Sequence, residues 1–154
     1  MTYPPKFKFF HEGTQTMYEV YNICLCGAPT VTVAYNPVKK YRLDTGFLLP
    51  MTGLLDQTGK PIFVGDICRL EPYNKFYLSS EFIIDFDDGA YTNKHILRMT
   101  TKDGRILSEN ECGYCYTSHI TRDYARKFKV IGNIYENPEL LGKAETKTQR
   151  KQKK

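Results

Sequence analysis

The sequence has no tryptophan, only three histidines and five cysteines in 154 residues, and no long apolar run. Each shortage removes a class of protein. The longest apolar stretch, Phe47 to Met51, is far shorter than the roughly 20 residues that cross a bilayer as a helix, so no membrane-spanning segment is expected. Lys6 and Lys8 interrupt the phenylalanines near Met1, and no secretory signal is expected. An odd number of cysteines without such a signal suits reduced thiols in a cytoplasm. His11, His95 and His119 are scattered and none adjoins a nucleophile. No phosphate-cradling loop, Gly-x-Ser-x-Gly or His-Glu-x-x-His occurs. The expectation is a protein with no catalytic residue and no cofactor.

Charge of one sign is also missing, over most of the chain. Lys143, Lys147, Arg150, Lys151, Lys153 and Lys154 face one acid, Glu145. Subtracting these six and one from totals of 22 basic and 17 acidic residues leaves sixteen of each. The net charge of +5 and the pI of 8.9 therefore belong to residues 142–154, read as a disordered basic tail. A pI argument for a basic face on the body fails. The tail offers a flexible arm that neutralises phosphates, or simply a solubilising terminus.

What is abundant is tyrosine and phenylalanine, twelve and nine, which favour half-buried pleated surfaces. Strands are expected at Lys6 to Phe10, Met17 to Ile23 and Thr30 to Tyr35, with a turn at Glu12-Gly13 and a loop from Asn36 to Lys40. Asp56 to Gly59 and Gly65-Asp66 are turns, because Asp bonds its own backbone two residues on and Gly accepts positive φ. The second turn opens a strand from Ile67 to Leu70. Such Gly-marked corners suit a small barrel or a curled sheet. Glu81 to Phe86 aligns Phe82, Ile84 and Phe86 on one face, and Asp88-Gly89 returns the chain through Ala90 to Leu97. Asp103-Gly104 marks another hairpin. Ser108 to Lys127 shows no helical stripe and reads as an irregular insertion with at most one helical turn, although Ser108 and Glu111 have capping-box spacing. Phe128 to Tyr135 is a last strand, and Asn137-Pro138 caps a short helical turn.

Two cysteine pairs raise the question of a metal. Cys24-x-Cys26 and Cys112-x-x-Cys115 could supply four thiolates to a structural zinc, with His119 as a spare ligand. Alternation along a strand gives Cys24 and Cys26 a poor knuckle, however, and free cysteine is commonly a buried apolar residue. The buried-thiol reading is preferred. A thioredoxin-like role for Cys112 and Cys115 would need a βαβ context that is absent. Asp85, Asp87 and Asp88 read as a solvated turn, lacking the alternation and distal Glu of a calcium loop.

Met51-Thr-Gly-Leu-Leu-Asp-Gln-Thr-Gly-Lys-Pro-Ile-Phe-Val-Gly-Asp-Ile67 resembles the signature "tGLkDknGkeIyeGDIv" of the YopX family of bacteriophage and prophage proteins. Lys129-Val-Ile-Gly-Asn-Ile-Tyr-Glu-Asn-Pro-Glu-Leu-Leu141 resembles that family's closing motif, and Lys6 to Phe10 with Met17-Tyr18 resembles its first hairpin. The resemblance implies a mainly β fold around a small SH3-like barrel, with an N-terminal β-hairpin region. On this reading residues 1–141 form one domain, with N-terminal strands over 1–45 and a barrel core over 46–141 that carries the insertion at 108–127. It implies no catalytic residue, since Gly53, Gly59, Gly65, Asp66 and Asn137-Pro138 are fold determinants.

The expectation for function is a non-enzymatic phage or prophage accessory protein in the bacterial host cytoplasm. It would bind a host protein or protein–nucleic-acid complex, for example to inhibit a defence system or a replication factor. The insertion is its expected working surface, through Tyr114, Tyr116, His119, Arg122, Tyr124 and Arg126, since binding residues concentrate in loops. The alternative is a nucleic-acid-binding module that uses the small barrel and the basic tail, and the third reading is a zinc-stapled protein. Homo-oligomers through open strand edges are compatible with either of the first two.

Overall fold

The computed structural model describes residues 6–34, 37–72, 75, 77–108, 111 and 119–141. Among them are two antiparallel sheets. The first has the order β4-β3-β2-β1-β5-β6. It is built from β1 (Phe7–His11), β2 (Thr16–Cys24), β3 (Thr30–Val33), β4 (Lys39–Arg42), β5 (Gly46–Leu55) and β6 (Pro61–Phe63). The second has the order β10-β9-β8-β7-β11, with β7 (Asp66–Leu70), β8 (Tyr77–Asp87), β9 (Ala90–Thr101), β10 (Ile106–Leu107) and β11 (Phe128–Asn133). A single helical turn, α1 (Arg122–Ala125), falls inside the insertion, where Thr121 caps it through the Tyr124 N–H.

The mainly β expectation holds, and of its two forms the chain takes curled antiparallel sheets that do not close into a barrel. The reason lies at β11. Its edge away from β7 is not joined by a strand but by the turn after β5: Gln57 N–H donates to Phe128 O at 2.8 Å, and Val130 N–H donates to Asp56 Oδ2 at 3.0 Å.

The turn chemistry behaves as its residues dictate. Asp88 and Gly89 both take positive φ, 50° and 78°, as the two-residue β8–β9 hairpin demands. Alternation then decides the core. Cys68, Leu70, Phe82, Ile84, Ile96, Met99, Phe128 and Val130 face inward from the second sheet, and Ile62 from β6 joins them. A smaller cluster of Phe9, Tyr18, Val31 and Val33 lies under β1–β3. Phe86, expected beside Phe82 and Ile84, is 54% exposed. The β8–β9 ladder shifts register between Ile83 and Asp85, with the extra residue on β9 between Thr92 and His95, and Phe86 lies beyond that shift near the hairpin turn, edge-on to Tyr91 at 5.1 Å.

The expected loop from Asn36 to Lys40 contains the start of a strand. Lys39 to Arg42 pairs with β3 from Val33 to Thr30. Tyr41 anchors it, stacking on His11 at 4.1 Å and sharing a hydroxyl contact with Tyr18 at 3.2 Å. Glu81, itself buried, holds the second sheet's face together between Arg69 and Arg98, and Arg98 also donates to Leu140 O at 2.6 Å. The C-terminal turn is thereby tied to the sheet.

Gly46 pairs with His11 where β1 meets β5, and a Cβ there would lie 2.0 Å from Phe10 O and 2.9 Å from Phe9 Cζ. Gly46→Ala is expected to cost about 1–3 kcal/mol by overpacking. A urea titration should show a lower midpoint at unchanged slope.

Candidate functional site

The two sequence stretches with the densest turn chemistry meet in space. Asp56, 3% exposed, gathers four donors. Its Oδ1 accepts from Thr58 N–H at 2.8 Å, Thr58 Oγ1 at 2.7 Å and Lys60 N–H at 2.9 Å, and its Oδ2 accepts from Val130 N–H. Burial alone would raise its pKa, but the donors from Val130, Thr58 and Lys60 prevail and lower it below 3.8. Asp66, 2% exposed, accepts from Phe63 N–H at 2.9 Å and has no comparable set of donors. Burial pushes its carboxyl up to about 6, against the opposing pull of the Phe63 N–H, Lys8 and Lys60.

Beside them a cleft of about 250 Å³ opens between the sheets, lined among others by Lys8, Lys60, Asp66, Asn133, Glu136 and Asn137. Its walls are largely committed to the fold. Asn133 Oδ1 accepts from Tyr135 N–H at 2.8 Å and Glu136 N–H at 3.1 Å, and Asn137 Oδ1 accepts from Asn133 N–H at 3.1 Å. Asn137 thus closes the loop behind it and makes no side-chain cap to the turn ahead. Gly132 admits this arrangement, because a Cβ there would meet Asn137 Oδ1 at 2.7 Å. Lys8 places its ammonium 4.6 Å from the centre of the Phe63 ring. The cleft carries two cations, Lys8 and Lys60, and two acids, Asp66 and Glu136.

The other expected site residues are dispersed. Cys112, Tyr114, Cys115, Tyr116 and the tail residues Lys143, Lys147, Arg150, Lys151, Lys153 and Lys154 lie outside the described residues. His119 is exposed and bridges to Thr92. Arg122 opens α1 and Arg126 follows it, both in solvent, whereas the Tyr124 ring packs edge-on to Phe128 at 4.7 Å and is occupied with core packing. Cys24 is half-buried at the end of β2 and Cys26 exposed in the bend after it. The Cys26 backbone N–H and then its thiol approach the Cys24 sulfur and lower its pKa, with a smaller contribution from Lys40. Cys68 is the opposite case, fully buried, with burial pushing its thiol far up. Among the described residues no group of three or more His, Cys, Asp or Glu is placed to hold a metal ion. Nor is any helix among them long and apolar enough to cross a membrane.

The far end of the first sheet holds what sequence reading passed over. Tyr21, Leu25 and Val38 are 81%, 72% and 64% exposed, the three most open of the large apolar side chains among the described residues. All three sit on β2 or on the connections to β3 and β4. Lys39, Lys40 and Arg42 lie beside them on an edge strand.

A family model described as YopX protein matches residues 6–142. The chain belongs to the YopX family. The matched span includes Asp56 and Asp66, which fasten one sheet to the other, and Asn137. No curated protein matches the chain. Among solved structures it is similar to the crystal structure of protein EF1440 from Enterococcus faecalis, at 22% identity and a TM-score of 0.51, covering 90% of this chain and 98% of that one. This likeness concerns the fold. YopX membership points to a phage-associated protein.

The two buried carboxyls titrate in separate windows. Unfolded Asp66 releases its proton near 3.8 and folded Asp66 near 6, so between these values the folded state holds the extra proton and stability falls as pH rises. The fall is expected to reach about 3 kcal/mol at most, and Asp66→Asn should flatten it in urea titrations across that range. Asp56 works the other way: its contribution is present above 3.8 and is lost as pH drops through its lower folded value. Asp56→Ala, which strands the Val130, Thr58 and Lys60 N–H groups, should cost on the order of 3 kcal/mol at pH 7 by the same measurement.

Proposed function

We propose that this YopX protein is a non-enzymatic, phage-associated accessory factor of the host cytoplasm that acts by binding a host protein, alone or carrying nucleic acid. Inhibition of a defence or replication factor is the form this takes. The observation that supports it is that the most exposed large apolar side chains among the described residues, Tyr21, Leu25 and Val38, all belong to β2 and to the connections at the two ends of β3. Exposed apolar groups with a polar rim mark interaction sites, and tyrosine is over-represented among residues that dominate binding energy. The strand beside them, Lys39–Arg42, is an open edge carrying three cations, which suits a partner with an acidic face or an extended segment that adds to the sheet. The junction residues Asp56, Asp66 and Asn137, by contrast, have their hydrogen bonds directed into the fold. The insertion remains a second contributor through the exposed His119, Arg122 and Arg126.

A second reading, nucleic-acid binding, draws on the same edge-strand cations together with the basic residues of 142–154. Affinity capture from host lysate with the full chain, followed by binding to the purified partner, separates the two. Tyr21→Ser combined with Leu25→Ser should weaken partner binding by about tenfold or more, while Ile106→Ser, an exposed change on the second sheet, should leave it unaltered. Capture that disappears on nuclease treatment, with gel retardation that weakens with salt and on deletion of 142–154, would favour nucleic acid instead. Equal binding by both variants would remove the far end of the first sheet from the account.

A further inference from the structure

The outer edges of the two sheets differ in what they can accept. Among the described residues, β10 is two residues long, β6 begins with Pro61, which has no N–H to offer, and the outer edge of β11 is taken by the turn after β5. The remaining edge is β4, four residues without proline. Its ladder shows which backbone groups are open. Leu43 N–H donates to Pro29 O at 2.9 Å, one step beyond the pairing of Arg42 with Thr30 and of Tyr41 with Val31. Hydrogen-bonded positions alternate along an antiparallel pair, so Lys39 and Tyr41 direct their backbone groups to β3, while Lys40 and Arg42 direct theirs away from the sheet. The other side of β3 agrees: Ala34 N–H donates to Glu19 O at 2.9 Å, which leaves Val33 and Val31 to face β4. Arg42 O already accepts from the Thr45 hydroxyl at 2.6 Å. Lys40 N–H, Lys40 O and Arg42 N–H are thus presented outward from two exposed residues.

We propose that β4 takes up an acidic, extended segment of the partner protein as an added antiparallel strand, with acidic side chains opposite Lys40 and Arg42. The proposal rests on reading this part of the first sheet as a docking surface, and it names what docks. In that register the incoming residues opposite Lys40 and Arg42 exchange backbone bonds with them and carry their side chains on the same face. Acids therefore belong at alternate positions. The residue between them falls beside Tyr41, whose ring stacks on His11 and tilts against Tyr18, and an apolar side chain suits that place. A second copy of this chain fits badly, since β4 against β4 sets cation against cation, and edge lysines are a common device against self-pairing. A nucleic-acid backbone fits badly too: its phosphates accept from the Lys40 and Arg42 N–H groups but give no donor to Lys40 O. Arg42 holds Asp44 at 2.6 Å, both well exposed. Pairs of this kind are weak, so an incoming acid competes with Asp44 on even terms.

The test adds a capped peptide of alternating glutamate and valine to the full chain and follows amide hydrogen exchange residue by residue. At saturation the Lys40 and Arg42 amides should exchange about tenfold more slowly or better, with little change at Tyr41, which already faces β3. N-methylation of the glutamate nitrogens, the ones that face β4, should abolish binding. N-methylation of the valine nitrogens, which face solvent, should leave it. Lys40→Glu should weaken the peptide by about tenfold or more, and Asp44→Asn, which releases Arg42, should tighten it. Slow exchange at Phe9 and Val31 reports that each variant is folded. Unchanged exchange at Lys40 and Arg42 overturns the proposal, as does equal binding of the two N-methylated peptides or of a lysine–valine peptide. A captured host partner whose affinity ignores Lys40→Glu would overturn this assignment and leave the docking reading standing. Peptide binding as described, with no host partner captured, would uphold the edge and remove that reading.

Discussion

Asp56 holds a full charge at 3% exposure, and a carboxylate in that position persists only where donors replace its lost water. Three of its donors come from its own turn and the fourth, Val130 N–H, from a strand 74 residues on. The fourth bond gives the first three their structural weight. It fixes the turn after β5 against the edge of β11, and Gln57 adds a backbone bond to Phe128 beside it. With that edge occupied by a turn, no further strand among the described residues pairs with β11. The open architecture and the junction between the sheets thus share one cause.

The neighbouring corner repeats the logic with less compensation. Asp66 fastens β6 to β7 through Phe63 N–H, and Gly65 joins the same knot by donating to Ile84 O and accepting from Ile134 N–H. Asn133 and Asn137 then bind the chain that follows β11. Glycine, aspartate and asparagine suit these positions because small polar side chains bond nearby backbone groups and glycine permits close approach. A pattern of fold determinants of this kind identifies a family without naming an activity. The cleft between the sheets is a by-product of the same knot, with most of its polar atoms already partnered.

This division explains what was legible in the sequence. Turns whose chemistry is local, at Asp56 to Gly59, Asp88-Gly89 and Asp103-Gly104, were readable because each residue's own bonds decide them. The β4 strand was not, since Lys39 to Arg42 has no apolar alternation and owes its place to β3 and to Tyr41 stacked on His11. Phe86 misled for a different reason: it keeps its place in the alternation of β8 but pairs with Tyr91 next to the Asp88-Gly89 turn, where alternation no longer implies burial. Tyr124 looked like a surface aromatic in an irregular segment until a single helical turn set it against Phe128. The exposed group of Tyr21, Leu25 and Val38 was invisible in the same way, for only the pairing of β2, β3 and β4 shows that nothing in the described chain packs over them so closely as to bury them.

The cysteines carry the argument one step further. Composition favours burial for any free thiol, and Cys68 obeys, its sulfur held neutral by the apolar core and the nearby charges of Asp66 and Asp56. Cys24 and Cys26 depart from that rule at the place where the sheet's own ladder ends. Strict alternation would set both on one face of a strand, but Cys24 closes β2 and Cys26 lies in the bend after it, so neither is drawn into the core that holds Cys68.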